Sequence, residues 1–312
     1  MKEAVFVKRN SVRWKSYEDY PSWDPDELTA RFISLTDDLS YARTFYPGST
    51  VLQYLNGLTS QTHGKLYSNR KEDSGRIRTF WLYELPYVFY KARFHLRYAF
   101  LFFLAAFLVG ALSAANDETF VRLIMGDIYV NQTLENIKSG DPLAIYKSQS
   151  SADMFLSITV NNIKVSFMAF TLGVFFSVGT LFIMIQNGIM LGAFQYFFYQ
   201  QGLLVASVLK IWIHGTLEIS AIVIAGGAGL VVGNSLLFPG TYSRMESFTR
   251  GAREGLKMAV GLVPIFITAG FLESFVTRLT LPVWGSVAII TISAAFIIWY
   301  FLLYPRKRFG SL

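Results

Sequence analysis

Residues 210–233, KIWIHGTLEISAIVIAGGAGLVVG, set the terms for the rest of this chain. They are apolar and long enough to cross a bilayer as a helix. Yet His214 and Glu218 sit near one end of the run. An ionisable side chain facing hydrocarbon is costly, so such a helix has to turn its polar end toward protein or water. His214, Glu218, Ala221, Ala225, Gly229 and Gly233 recur at steps of three and four residues and fall on one stripe. Small side chains on that stripe let a neighbouring backbone approach closely. The pattern predicts an integral membrane protein with a polar feature inside the membrane.

The 312-residue chain is 53% hydrophobic and 16% aromatic, with a mean hydropathy of +0.38, which is unusual for a water-soluble domain of this size. It contains no cysteine, which excludes disulfides, thiolate metal sites and cysteine nucleophiles. Three histidines, His63, His95 and His214, leave little room for a His-rich metal centre, and neither a metal nor a cofactor is expected. The formal charge of +7 reads as basic residues facing anionic lipid rather than nucleic acid. The first 20 residues have scattered charges and no apolar core, so no cleavable signal peptide is expected.

Residues 1–97 are amphipathic and predict a small helical cytoplasmic or interfacial domain. In PDELTARFISLTDDLSYARTFYP, Leu28, Phe32, Leu35, Leu39 and Ala42 share a helical face; Pro25 is placed to open the helix and Pro47-Gly48 to close it. A second helix is predicted through VLQYLNGLTSQTHGKLY, followed by a polar linker, SNRKEDSGR. The aromatic and basic stretch ELPYVFYKARFHLRY suits the membrane interface.

Residues 98–305 predict an all-α transmembrane bundle of about six spans. The first span is expected at 99–115, followed by an extracytoplasmic loop at about 116–160. Further spans are expected at 165–185, 189–209, 211–233, 258–275 and 283–304. Gln186-Asn187-Gly188 interrupts the apolar run as either a tight turn or a broken helix lining a cavity. The third segment carries Gln195, Gln200, Gln201 and Gly202 and reads as short, kinked or re-entrant. Pro264 should kink the fifth span. Basic residues precede the first span, fill the loop at Arg244, Arg250 and Arg253, and return in the tail, 306–312. The loop after the first span is acidic. Six crossings with both termini in the cytoplasm satisfy this distribution.

His214 and Glu218 are one turn apart, and Glu273 in GFLESFVTR falls near the same outer end of the next helix. The two carboxylates are expected to meet in one polar pocket, with Asn161 and Asn162 as possible partners. One reading is a proton- or ion-responsive site; the other is a set of structural hydrogen bonds between helices. The stripe Ala221, Ala225, Gly229, Gly233 faces either another helix of this chain or a second subunit. No HExxH, GxSxG or phosphate-loop pattern is present.

Three stretches together resemble the stage II sporulation protein M family: HGTLEISAIVIAGGAGL (214–230), RGAREGLKMAVGLVPIFITAGFLESFVT (250–277) and NNIKVSFMAFTLGVFFSVGTLFIMIQNGIMLG (161–192). A Trp14-containing helix, LTDDLSYART (35–44), Leu55-Asn56 and His63 extend the similarity toward the N-terminus. Two departures are Ile213 before His214 and Arg278-Leu279 after Val-Thr, where the family often has proline. The resemblance implies a polytopic bacterial cytoplasmic-membrane protein without catalysis of its own. In spore formers the family member works with cell-wall-degrading partners, and non-sporulating bacteria also carry relatives. Only His214, Glu218 and Glu273 transfer as motif positions, without an assigned role.

These readings converge on a non-enzymatic membrane scaffold that contacts lipids and recruits envelope or cell-wall-remodelling partners at its cytoplasmic domain and outer loop. A homo-oligomer is possible, and nucleic acid is not expected. The alternative is a transporter or channel that uses the intramembrane His/Glu site.

Overall fold

A computed structural model describes residues 1–20, 25–68, 75–140 and 150–310. Most of the polar linker (69–74), Asp141-Pro142 and Lys147 therefore lie outside the described residues. No strand occurs among those described. The chain divides into two compact units, Met1–Ile77 and Arg78–Leu312.

The first unit holds α1 (Glu3–Asp19), α2 (Pro25–Phe45) and α3 (Thr50–Ser68). Phe6, Trp14, Leu35, Ala42, Leu55 and Leu58 form its core. This is the face predicted for α2, with Leu28 also buried, Leu39 packed against the core and Phe32 beside the His63 ring. Trp14 donates its indole N–H to Asp38, 2.7 Å away, and Arg13 pairs with the same carboxylate. The chain turns after α2 through Tyr46 to Ser49, where Gly48 has a φ of 88° that a side chain would resist.

In the second unit, α4 (Arg76–Thr79), a π turn and α5 (Leu85–Lys91) lead into the first span. Leu85, Val88 and Phe89 belong to the core of the bundle. Residues 78–97, assigned by pattern to the N-terminal region, thus pack as part of the membrane unit.

Among the described residues, six helices are long and apolar enough to cross a membrane. They comprise α6 (Arg93–Asn116), α9 (Ser151–Thr171, running on to Val174), α10 (Val178–Gln200), α11 (Leu204–Leu237), α12 (Arg244–Phe271, with a π turn to Val276) and α13 (Val283–Ile298, continuing through a π turn into α14, Tyr304–Phe309). Between α6 and α9 lie α7 (Glu118–Met125) and α8 (Asp127–Lys138), separated by Gly126 at φ 85°. Asp117 caps α7: its carboxylate accepts from the Thr119 hydroxyl and N–H, and these bonds hold it below the usual carboxylate range.

The second and third spans start and stop elsewhere than hydropathy predicts. The break between them is at 172–177, in LGVFFS, not at Gln186-Asn187-Gly188. Phe176 and Ser177 take the left-handed conformation that reverses the chain, and both Phe175 and Phe176 are exposed. Gln186, Asn187 and Gly188 are neither a turn nor a helix break. They lie inside α10, where Asn187 returns its side-chain N–H to the Ile183 carbonyl at 2.8 Å. Gly188 is a packing residue: a Cβ there would stand 2.7 Å from that of Ala106 and 2.9 Å from the Phe103 carbonyl oxygen. The third segment is a full span, with Gln195 buried. Pro264 also lies within a continuous helix, α12.

Helix α11 is the axis of the bundle, and 78% of its most apolar window is buried, against 22–44% for the other spans. At about 1.5 Å per residue its 34 residues measure about 51 Å, well beyond the hydrocarbon thickness. Gly226 receives Met184, Gly227 receives Leu96, Gly229 meets the Ala169 carbonyl and Thr180, and Gly233 meets Ser177. Ala221 and Ala225 are fully buried. The small-residue stripe therefore packs on helices of the same chain. Gly173 answers from α9, where a Cβ would fall 2.9 Å from the Gly229 backbone.

A methyl group at Gly229 would overlap backbone on one side and Thr180 on the other. Gly229→Ala should destabilise the protein by about 1–3 kcal/mol. Gly64→Ala in α3, where nothing lies within 4 Å, should be neutral or stabilising by up to about 1 kcal/mol. Thermal unfolding of both variants in detergent checks the contrast.

Candidate functional site

Three ionisable side chains converge between α11 and the end of α12. One ligand-type atom each from His214, Glu218 and Glu273 lies within 4.8 Å of the others. The two carboxylates, expected to meet, each bring an oxygen within 4.8 Å of the other. His214 and Glu218 come from adjacent turns of α11, and Glu273 comes from the π turn Leu272–Val276 that follows α12. A π turn widens the helix by one residue and is frequent at functional sites. Here the Thr277 N–H reaches back to the Leu272 carbonyl at 2.8 Å, five residues away.

The His214 ring bridges α11 and the end of α12. Its Nδ1 lies 3.1 Å from Thr277 Oγ1, and its Nε2 lies 3.7 Å from Glu273 Oε1. Thr277 Oγ1 also lies 3.1 Å from the Leu272 carbonyl. If the hydroxyl donates there, its oxygen accepts from His214 Nδ1–H and the Nε2 lone pair faces Glu273; the other tautomer turns Nε2–H toward Glu273. Thr277 was not singled out by the sequence reading. Its signal was the four-residue step from Glu273 along the same helix.

Helix α9 supplies the third wall. Asn162 is 5% exposed and lies against the Glu218 carboxyl, with its buried Nδ2 short of full hydrogen-bond geometry. Asn161, expected beside it, is exposed on the other face and takes no part. The physical reason is the register of α9, which begins at Ser151 rather than near 165. Residues 161 and 162 are therefore mid-helix neighbours about 100° apart, not the two ends of an entry turn. Thr159, Ser166 and Gly173 share the inward face with Asn162; the Thr159 hydroxyl sits against Gly270, and both hydroxyl oxygens are buried without a hydrogen-bond partner.

The order Thr277, His214, Glu273 resembles a nucleophile, base and carboxylate. Thr277 is fully buried, and its hydroxyl lies 3.1 Å from the Leu272 carbonyl. The arrangement is suited to holding a proton or a cation.

The opposite end of α11 opens on a cavity of about 1170 Å³ lined by Tyr87, Lys91, His95, Asn234, Arg250 and Glu254, among others. Ion pairs Lys91–Glu254 and Lys257–Glu84 cross its rim. Asn234 is 16 residues from Glu218, or about 24 Å along the helix. The stretch between them, Ala221–Gly233, carries the close contacts of Gly226, Gly227, Gly229 and Gly233.

Replacing Thr277 by Val removes the partner of His214 Nδ1 at nearly constant volume. The variant should lose about 1–3 kcal/mol, because a buried polar group is left unsatisfied, and Thr277→Ser should restore most of it. Unfolding midpoints in detergent report both.

The stage II sporulation protein M family model matches residues 99–278, from the start of the first span to just past Glu273 and Thr277. A domain of unknown function (DUF8413) matches residues 4–68, so the N-terminal helices carry a family model of their own. No curated protein and no solved structure matches. The match spans more than half of the 312 residues and includes His214, Glu218 and Glu273. This chain belongs to the stage II sporulation protein M family.

Proposed function

We propose that this protein is a non-enzymatic scaffold of a bacterial cytoplasmic membrane, which recruits envelope or cell-wall-remodelling partners. One observation carries the reading: a separately cored helical unit, with its own family model, is joined to a membrane bundle sealed along its axis by glycine contacts. Such a bundle is an anchor, and the helical unit and the α7–α8 segment offer protein surfaces outside it. Leu123 and Ile128 in that segment are 79% and 84% exposed. Both termini lie in the cytoplasm in this reading, because Lys91, Arg93, Arg97, Arg244, Arg250, Arg306, Lys307 and Arg308 cluster at one end of alternating spans. Crosslinking in native membranes followed by purification of the full chain tests it. A partner in fixed ratio, crosslinked through Met1–Ile77 or through Glu118–Lys138, is the expected result. Its absence on both sides would overturn the proposal.

A second reading is favoured by the convergence of His214, Glu218 and Glu273: ion- or proton-coupled transport. It requires the glycine-packed stretch of α11 to open in another conformation. Proteoliposomes holding the protein would then show a pH-dependent flux, which Glu218→Gln reduces by about tenfold or more. Equal flux in empty vesicles and in both proteins rejects it.

A further inference from the structure

We propose that His214, Glu218 and Glu273, completed by Asn162, bind one divalent transition-metal cation of the zinc class. The three ionisable donors come from α11 and from the π turn after α12 and already lie within 4.8 Å of one another. Ligands around one zinc ion stand about 2.0–2.2 Å from it, so the three groups need to draw together by roughly 1 Å. Side-chain rotation suffices for that.

The second observation is independent of the cluster. Asn162 is 5% exposed and faces the Glu218 carboxyl, but its buried Nδ2 does not reach full hydrogen-bond geometry. An amide so poorly paired at this depth is costly, and turning it gives up only a weak contact with Glu218. A half-turn of the amide presents its carbonyl oxygen as a fourth ligand, which completes a tetrahedral set.

The histidine is also prepared as a ligand would be. Metal-binding histidines donate their second ring N–H to an outer partner, which fixes tautomer and orientation. In the tautomer that gives Nδ1–H to Thr277, with the Thr277 hydroxyl on the Leu272 carbonyl, the Nε2 lone pair faces Glu273. The charges balance as well: a dication with two carboxylates and a neutral imidazole is neutral overall, the arrangement least costly inside a membrane. One imidazole with oxygen donors selects zinc-class ions over magnesium and calcium, which prefer oxygen alone. The proposal is independent of the scaffold reading, since a metal at this place can brace an anchor or serve transport.

The full-length protein, purified in detergent and stripped with a chelator, is titrated with Zn²⁺ and with Co²⁺ as a spectroscopic substitute. One ion per chain is expected, with a visible Co²⁺ spectrum and an X-ray absorption signature of one imidazole among oxygen ligands. Glu218→Gln and Glu273→Gln should each weaken binding by about 100-fold or more, and Thr277→Val by about 10–100-fold. Wild-type protein that retains neither ion, or a Co²⁺ signature without imidazole, overturns the proposal even if every variant fails to fold. Undiminished binding by folded Glu218→Gln and Glu273→Gln proteins also overturns it, because the ion then sits elsewhere.

Discussion

Backbone-to-backbone approach around α11 is the constraint on which the rest of this bundle depends. In a bilayer, lipid tails are as apolar as leucine, so burying leucine between helices brings little gain. Dispersion between closely packed surfaces has to hold the helices together, and each contact weakens steeply with separation. Gly226, Gly227, Gly229 and Gly233 remove the side chains that would keep α6, α9 and α10 away from this one helix. Gly188 and Gly192 do the same for α10 against α6. Large side chains are correspondingly turned outward: Phe100, Leu101, Phe102 and Leu108 on α6 are each about half exposed.

That close packing stops where the polar cluster begins. Toward the other end of α11, His214, Glu218 and Thr216 replace glycine, and Asn162 and Thr159 face them from α9. The helices there are held by hydrogen bonds and charge rather than by methyl-free contact. The π turn at Leu272–Val276 brings Glu273 and Thr277 to the two nitrogens of one histidine. A single ring thus links two helices and stands beside two carboxylates. This makes the site both a structural joint and a place able to hold positive charge.

Much of the fold was legible because helix periodicity and apolar length are local properties. The core face of α2, the number of spans, and the meeting of Glu218 with Glu273 all follow from spacing along single helices. The turn at 172–177 was not legible, because its residues are as apolar as a span: Phe175 and Phe176 are exposed and suited to lipid. Gln186-Asn187-Gly188 misled in the opposite direction. Asn187 satisfies itself on the preceding turn and Gly188 lets α6 approach, so a polar string sits comfortably inside a helix. Asn161 and Asn162 are neighbours about 100° apart on α9, so only Asn162 faces the site.

Composition and periodicity alone establish a membrane bundle, its basic and acidic ends, and a histidine and two glutamates placed at a common depth. Those properties depend on residues near one another in the chain. Which atoms touch is decided only by the assembled packing. Thr277 orders the histidine, α9 contributes Asn162, and the glycine stripe meets its own chain rather than a second subunit, because helix rotation and register are set by contacts between segments tens of residues apart.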